Sequence, residues 1–393
     1  MFSARVPGNL TSNRLTEAVR ARRACGEAFV DLTESNPTRA GFDYPADLLA
    51  PLGDARGLRY APSPLGLIEA RQAVAGDYAR QGYAVAPERI ALTASTSDAY
   101  SLLFKLLGNA GDEVLVPRPS YPLFEHLTRL DLLIAREYDL DMHGAWSIDL
   151  AGLEAAITPR TQAVLVVSPN NPTGSFLSAA ELDRLAAICA PRGIAIIADE
   201  VFADYELARG AAARAGRVVA RDDVLSFSLG GLSKSIGLPQ AKLGWIAVAG
   251  PRDLAAAALD RLELICDTYL AVSTPVQLAA GELIERGASV RSQISTRIRA
   301  NDVTLRQMMT PAASCRVYPT AGGWSAVVQV PTFEREEDLV LRLLDAGVLT
   351  HPGYFFDFPR ESFLILSLLP PPALFAEGVS RVLRHFDCTV TRQ

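Results

Sequence analysis

Short apolar runs alternate along the middle of the chain with longer segments whose apolar residues recur at helical spacing. Strands are predicted at residues 89–93, 113–116, 163–167, 194–198, 224–227 and 245–248. Several of these runs are apolar at successive positions, as is typical of strands buried on both faces. A helix is predicted from about residue 97 to 107, because its leucines form one stripe and Gly108 follows it. The alternation predicts an α/β fold with a mainly parallel sheet flanked by helices.

The pattern changes near Thr274. Pro275 opens a long, charge-studded helical stretch that reaches about Met309. A smaller α+β pattern follows, with strands predicted at 315–318, 324–330 and 363–367 and a helix near 335–345. We therefore expect an N-terminal segment (1–44) that packs with the small domain, a large domain (45–273), and an interdomain helix with a small C-terminal domain (274–393).

Composition narrows the class of protein. A chain of 393 residues is too long for one small core, and 49% apolar with 21% charged residues is ordinary for a soluble globular protein. The net charge of −6, without a block of like charges, argues against a nucleic-acid partner. No apolar run is long enough to span a bilayer, and the first residues lack the apolar stretch of a secretory signal. We expect no membrane association.

Cysteines and histidines are scattered along the chain. The five cysteines (25, 189, 266, 315 and 388) form no Cys-x-x-Cys pair, and the four histidines are isolated. A metal site is therefore not expected, and thiols in a reducing compartment are the simplest interpretation. We predict a cytoplasmic protein.

Lys234 lies in the tract Gly-Gly-Leu-Ser-Lys-Ser-Ile-Gly-Leu-Pro-Gln-Ala-Lys-Leu-Gly-Trp (230–245). Because it follows a predicted strand, it should lie at the C-terminal end of that strand, where open α/β sheets place ligands. A buried lysine has a lowered pKa, which favours its nucleophilic form. On its own such a lysine is more often a solvated loop residue, so its interpretation depends on the other tracts.

Two earlier tracts also end predicted strands. Ala-Asp-Glu-Val (198–201) puts Asp199 after an apolar strand, where an acid needs a cationic partner, although an acid that caps the next turn is an equally good explanation. Ser-Pro-Asn-Asn-Pro-Thr-Gly (168–174) puts Asn171 before a proline, in a rigid turn. Asn-Pro turns are common for structural reasons, but Asn-Pro-Thr-Gly after such a strand is a fairly specific signal.

Ser95, Thr96 and Ser97 stand between a predicted strand and a predicted helix. Backbone N–H groups at the start of that helix, together with the hydroxyl groups, would form an anion site. Helix capping by Ser or Thr explains the tract equally well.

In this order, the tracts around Asn171, Asp199 and Lys234 resemble the cofactor site of the class I/II aminotransferase family, which are fold-type I pyridoxal-phosphate (PLP) enzymes. The likeness runs from about residue 32 to 383. It implies a large domain with a mixed, mostly parallel seven-stranded sheet, and a smaller α+β C-terminal domain. It also implies pyridoxal 5′-phosphate as the cofactor, and a homodimer whose sites lie at the subunit interface.

The resemblance also implies roles for individual residues. Lys234 would be the Schiff-base lysine, and Asp199 the acid that keeps the pyridine nitrogen protonated. Asn171 would donate to the ring oxygen, and Tyr121 would stack on the ring. The other cofactor contacts would come from Ser95, Thr96 and Ser97 as the phosphate cup, from Phe202, Ser233 and Lys242, and from Tyr60, lent to the neighbouring subunit.

Four positions depart from the family's usual pattern. Phe202 stands where a tyrosine usually donates to the ring oxygen, so we predict a raised pKa for the Schiff base on Lys234. Lys242 replaces an arginine that usually holds the phosphate through a bidentate fork, and Gly231 replaces a serine. Ile365 stands where an arginine usually binds the substrate carboxylate.

The isoleucine leaves the substrate contacts open. Either another residue binds the carboxylate or the substrate binds differently. Arg360, Tyr354 and Asn36 are candidates, although Arg360 should lie in a loop. A core aromatic and a turn asparagine explain Tyr354 and Asn36 at least as well.

The leading hypothesis is a PLP-dependent aminotransferase (transaminase). It would move an amino group between an amino acid and a 2-oxo acid by a ping-pong mechanism through the Lys234 Schiff base. A carbon–sulfur lyase or a decarboxylase could use the same cofactor site, because the outcome depends on which substrate bond lies perpendicular to the ring. A non-catalytic regulator with a degenerate aminotransferase domain is disfavoured, since no basic helix-turn-helix precedes the matching region.

Overall fold

The computed structural model describes residues 2–309, 314–331, 334–360 and 362–390, with side chains up to residue 386. The side chain of Cys388 and parts of the predicted C-terminal domain (310–313, 332–333, 361 and 391–393) therefore lie outside the described residues.

Fourteen strands and thirteen helices are found among these residues. The strands are β1 (Val30–Asp31), β2 (Ile90–Thr93), β3 (Glu113–Arg118), β4 (Ile134–Met142), β5 (Trp146–Ile148), β6 (Thr161–Val167), β7 (Ala195–Asp199), β8 (Ser226–Gly231), β9 (Gly244–Ala249), β10 (Arg316–Val317), β11 (Ser325–Gln329), β12 (Val348–Leu349), β13 (His351–Pro352) and β14 (Phe363–Ser367). The helices are α1 (Arg14–Ala24), α2 (Ile68–Arg80), α3 (Thr96–Leu107), α4 (Phe124–Leu130), α5 (Leu150–Ala156), α6 (Ala179–Cys189), α7 (Ala211–Arg214), α8 (Leu232–Ser235), α9 (Arg252–Tyr269), α10 (Thr274–Arg286), α11 (Ala288–Met308), α12 (Glu336–Asp345) and α13 (Pro372–Val390).

The large sheet has the strand order β2-β9-β8-β7-β6-β3-β4-β5. The pairs from β8 across to β4 are parallel, whereas β9 and the edge strand β5 run antiparallel to their neighbours. Its central strands are buried at nearly every position, because helices cover both faces. The α/β fold is thus as predicted, and the sheet has eight strands where the resemblance implied seven, because the short strand β5 extends one edge.

Strand register brings the predicted tracts together. Asp199 ends β7 opposite Val167 of β6 and Leu229 of β8. Asn171 follows β6, Asp199 is the last residue of β7, and Lys234 follows β8. Because the carboxyl ends of parallel strands meet at one edge of a sheet, tracts separated by tens of residues in sequence share one site.

The second sheet is small and antiparallel, in the order β10-β11-β14-β13. Its core includes Leu15, Leu32 and Phe42 from the N-terminal segment, together with Val340 and Phe375 from α12 and α13. β1 also pairs with β12, so the first part of the chain packs against the C-terminal part.

The helical stretch predicted from 275 to about 309 is two helices, which meet at Gly287. A Cβ on Gly287 would lie 2.7 Å from Ile236, so the close approach there requires a glycine. α10 packs on α2 of the large domain, whereas α11 contributes Ile294 and Ile298 to the core of the small domain. The boundary predicted at 274 thus falls before a helix that packs on the large domain.

β4 was not predicted, because four of its nine residues are charged and most of the nine are at least partly exposed. No helix among the described residues combines the length and apolar character that crossing a bilayer demands.

Candidate active site

A cleft of about 1270 Å³ lies between the carboxyl edge of the large sheet and one face of the small sheet. We call its large-domain side the cofactor wall (Thr96, Ser97, Tyr121, Asn171, Asp199, Phe202 and Lys234) and its other side the small-domain wall (Trp324, Ser325, His351, Tyr354, Ile365 and Ser367). The structure therefore gathers eight of the predicted site residues in one cleft, including Lys234 and Asp199.

Lys234 lies in the short helix α8, with its amine surrounded by protein. Its Nζ is 5.1 Å from the ring centroid of Trp324 and 5.6 Å from that of Phe202. Burial lowers the pKa of the ammonium, and the negative charge of Asp199 only partly opposes this effect. The environment thus favours a neutral, nucleophilic amine in reach of the cleft.

Asp199 is a buried carboxylate whose two oxygens each accept one hydrogen bond. The Tyr100 hydroxyl donates to Oδ2 (2.8 Å), and the Val201 N–H donates to Oδ1 (3.1 Å). Burial raises the pKa of Asp199 despite these donors. In the part of the chain that the structure describes, no side chain forms an ion pair with it. A protonated pyridine nitrogen would supply the cation that this acid lacks.

The two neighbouring asparagines have different surroundings. Asn170 is buried, accepts from the Thr173 N–H and hydroxyl, and donates to the Ser120 hydroxyl, so it holds the turn together. Asn171 lines the cleft, where its Oδ1 accepts from the Ser325 hydroxyl (3.2 Å). That contact leaves the Asn171 amide N–H groups available to a ligand.

The start of α3 combines capping with an open anion site. Ser95 is the helix N-cap and accepts from the Asp98 N–H (3.1 Å), so its hydroxyl is used within the chain. Thr96 and Ser97 follow it and line the cleft. A Cβ on Gly244 would lie 3.0 Å from the Ser95 carbonyl carbon, so β9 packs tightly against this turn. A phosphate group fits here, at the N-terminus of a twelve-residue helix.

Tyr121 also belongs to the cofactor wall. It is 45% exposed, and burial with the nearby Asp199 charge raises the pKa of its hydroxyl. It thus presents an aromatic face near the acid that would hold the ring nitrogen.

Besides Ser95, five predicted residues do not line the cleft. Asn36 caps a short turn by accepting from Thr38, and Arg360 is exposed. Lys242 is exposed in a left-handed conformation (φ 54°), two residues before Gly244 at the anion site. Ser233 precedes Lys234 in α8 but is not at the cleft surface, and Tyr60 is 78% exposed beside a separate 240 Å³ pocket.

Sequence reasoning missed several cleft residues. Trp324 and His351 each carry a buried ring nitrogen without a hydrogen-bond partner. Tyr100 supports Asp199 from the interior of α3. The sequence signal nearest to these residues is the Gly-Gly-Trp tract at 322–324. Adjacent glycines indicate that the backbone lies close to other atoms, and Gly322 does pack directly against Phe176 and Tyr205.

The hydroxyl that Phe202 lacks is not restored by its neighbour Tyr205. Phe202 packs edge-on against Trp324, with ring centroids 5.2 Å apart. The Tyr205 hydroxyl donates instead to the backbone carbonyl of Lys234 (2.6 Å). Tyr205 therefore holds α8 in place rather than facing a ligand.

Comparison with known proteins agrees with this geometry. The sequence model described as aminotransferase class I and II matches residues 29–377. Over 378 residues the chain is 33% identical to the glutamate-pyruvate aminotransferase AlaA of Escherichia coli K12, covering 91% of this chain and 89% of the relative. It is 27% identical over 380 residues to an alanine aminotransferase of Mycobacterium bovis, covering 91% and 85%.

Solved structures support the fold. The alanine aminotransferase of Pyrococcus furiosus superposes with a TM-score of 0.84 at 24% identity, covering 95% of this chain and 96% of its own. An aspartate aminotransferase of Thermus thermophilus (a single mutant) gives 0.82 at 24% identity, covering 98% and 99%.

Proposed function

This chain belongs to the class I and II aminotransferase family, and we propose that the cleft around Lys234 and Asp199 is where it transfers an amino group between an amino acid and a 2-oxo acid. The reaction class and the use of PLP follow from the family. Two observations support this location. Lys234 has a buried amine with a lowered pKa, and Asp199 is a buried acid without an ion-pair partner among the described residues; both line the same cleft. The relatives offer no support for a lyase or a decarboxylase.

When bound, pyridoxal phosphate supplies an aldehyde that condenses with amines and a protonated ring that accepts electrons released at the substrate Cα. Lys234 Nζ, whose pKa is lowered by burial, accepts the proton from Cα and later returns it. Asp199 would supply the negative charge for the ring nitrogen, and the Tyr100 O–H keeps that carboxylate in place. These three groups define where the proton is held and where positive charge is stabilised.

The remaining contacts orient the bound molecule. Asn171 would donate an amide N–H to the ring oxygen, because its Oδ1 is already occupied by Ser325. Tyr121 would cover one ring face, and the N–H groups of Thr96 and Ser97 would hold the phosphate at the start of α3. Lys242 and Ser233 would add a positive charge and a hydroxyl from outside the cleft surface. Phe202 and Trp324 exclude water beside Lys234.

We also propose a cytoplasmic homodimer in which Tyr60 reaches the neighbouring subunit's phosphate site. The support is that Tyr60 is 78% exposed and lies away from its own cleft. Light scattering gives the subunit number, and Tyr60→Phe should weaken PLP binding without changing that number. A monomer that binds PLP normally would contradict the dimer proposal.

The function is tested with purified PLP-loaded enzyme and a panel of amino donors. We expect amino acids such as alanine or glutamate to convert the bound cofactor to its amine form and release one 2-oxo acid per site. Adding pyruvate or 2-oxoglutarate should restore the original absorbance. Release of ammonia and pyruvate from a cysteine conjugate, without the amine form, would instead indicate elimination.

A further inference from the structure

The substrate's carboxylate needs a partner close to Lys234, because it is bonded to the same carbon as the reacting amino group. The cleft has two arginines, but both are committed. Arg118 is paired with Glu137 (2.6 Å) and Asp139 (2.7 Å), and Arg136 with Glu113 (2.8 Å). Among the described cleft residues, Lys234 is the remaining lysine or arginine, and its amine is reserved for the reaction.

The small-domain wall contains one histidine, His351, which lines the cleft. His351 on β13 is directly opposite Ile365 on β14, and Ser325 on β11 is directly opposite Ser367 on β14. Because side chains alternate between the faces of a strand, these four share one face of the sheet, and all four line the cleft. Ser325 also reaches Asn171 on the cofactor wall, so this face borders the cofactor region.

The imidazole of His351 forms no hydrogen bond or ion pair with the described residues. Its Nδ1 is buried and has no hydrogen-bond partner, and its ring packs against Phe355 and Phe356 at 5.8 and 5.9 Å. A buried N–H without an acceptor is costlier than a bare nitrogen, so the proton of the neutral ring belongs on Nε2. Nε2–H is then a donor with no acceptor among the described residues, on a ring that borders the cleft.

The surroundings keep this ring neutral in the absence of a ligand. Burial lowers the pKa of His351, and the carboxylate of Asp31 on β1 opposes this effect only in part. Asp31 itself accepts from the N–H and hydroxyl of Thr33, which limits its influence on the imidazole. A neutral donor in an apolar wall is suited to binding an oxygen anion through hydrogen bonds.

We propose that His351 is the binding residue for the substrate's carboxylate, and that it takes the place of a cationic side chain at Ile365. Ile365 then forms the apolar floor beside that carboxylate, and the hydroxyl of Ser367 fixes the adjoining backbone by donating to the Glu34 carbonyl (2.6 Å). This inference rests on the proposed function for the identity of the substrate, but the binding role of His351 can be measured without turnover.

The experiment uses PLP-loaded enzyme and two pairs of probes. Calorimetry measures the affinity for propionate, which has the carboxylate but no amine, with 1-propanol as its uncharged match. The initial absorbance change of the bound cofactor measures reaction with L-alanine and with ethylamine, which lacks the carboxylate. The variants are His351→Ala, His351→Gln, which retains an N–H donor, and His143→Ala as a control whose side chain is 83% exposed outside the cleft.

We expect His351→Ala to weaken propionate binding roughly 10- to 100-fold, the range for a lost hydrogen bond to a charged group. The apparent affinity for L-alanine should fall by a similar factor, while the reaction with ethylamine stays unchanged. His351→Gln should recover part of the loss, and His143→Ala should match the parent enzyme.

Equal propionate affinity in His351→Ala and the parent enzyme would overturn the proposal, as would an equal loss for L-alanine and ethylamine. Failure of the proposed function has a different signature. In that case no amino acid converts the bound cofactor, yet propionate binding still depends on His351.

Discussion

The two walls of the cleft are built in different ways. The cofactor wall comes from consecutive segments that leave parallel neighbours β6, β7 and β8, so Asn171, Asp199 and Lys234 converge through strand register. The small-domain wall is assembled from β11, β13 and β14, which pair antiparallel, and its side chains meet through alternation across strands. In the first wall both oxygens of Asp199 accept hydrogen bonds, whereas the second has ring nitrogens on Trp324 and His351 that have no partner among the described residues. In the proposed function, the first wall holds the cofactor and the second binds the oxygens of an exchangeable substrate.

The largest effect is expected at Lys234. Lys234→Ala removes both the amine that joins the cofactor and the base at Cα, so transamination should fall by about 10³-fold or more. After borohydride treatment and denaturation, the parent enzyme should retain the mass of the cofactor and the variant should not. Lys105→Ala is the matched control, since its amine pairs with Asp131 outside the cleft. Retained mass in Lys234→Ala would place the covalent site elsewhere.

Asp199 gives the next largest effect and a distinctive pH dependence. Asp199→Asn should slow the reaction about 10²-fold, because it removes the charge that stabilises a protonated ring. In cofactor-free protein, burial raises the pKa of Asp199, so the parent binds a proton more readily folded than unfolded. The stability that this proton gives is present below the unfolded pKa of about 3.9 and is lost as pH rises through the folded value. Melting temperatures from pH 4 to 8 should therefore increasingly favour the variant.

The control for that titration has the opposite sign. The hydrogen bond from Arg221 lowers the pKa of Asp223, so the stability deficit of Asp223→Asn relative to the parent should grow as pH rises to about 4 and stay constant above it. The loss should be small because the pair is near the surface. If Asp199→Asn followed the same direction as Asp223→Asn, the cofactor wall would already contain a cation for Asp199.

The contrast between the walls explains how far the sequence alone could lead. Strand-terminal tracts such as Asn-Pro-Thr-Gly and Ala-Asp-Glu carry local signals, so the α/β sheet and the cleft residues Lys234, Asp199 and Asn171 could be located in advance. His351 has no local signal, because its role arises from pairing with Ile365 fourteen positions away. Asn36 and Arg360 were candidates for the substrate carboxylate, and neither lines the cleft in the structure.

Substitution of Ile365 tests whether this residue forms an apolar floor in the small-domain wall. Its side chain is 2% exposed and packs with Val327, Phe356 and Phe363. Ile365→Val should cost about 1 kcal/mol of unfolding free energy, as expected for one lost buried methyl group, and should change the KM for L-alanine less than about threefold. Urea unfolding with steady-state kinetics measures both quantities. A large KM change with unchanged stability would mean that Ile365 contacts the substrate directly.

The smallest effect is expected at Phe202, where the two walls touch through its edge-on contact with Trp324. Phe202→Tyr adds an O–H beside the site proposed for the ring oxygen, and a hydrogen bond to that oxygen favours its deprotonated, charged form. The pH midpoint of the bound cofactor's visible absorbance should therefore fall, by roughly one unit for a hydrogen bond worth about 1 kcal/mol. Tyr205→Phe is the matched control, because its hydroxyl donates to the Lys234 carbonyl and should affect stability more than the midpoint. The pH midpoint of the parent enzyme tests the same idea. Because Phe202 has no hydroxyl, the parent's midpoint should be high. A low midpoint in the parent, or no fall in Phe202→Tyr, would show that another donor already serves the ring oxygen.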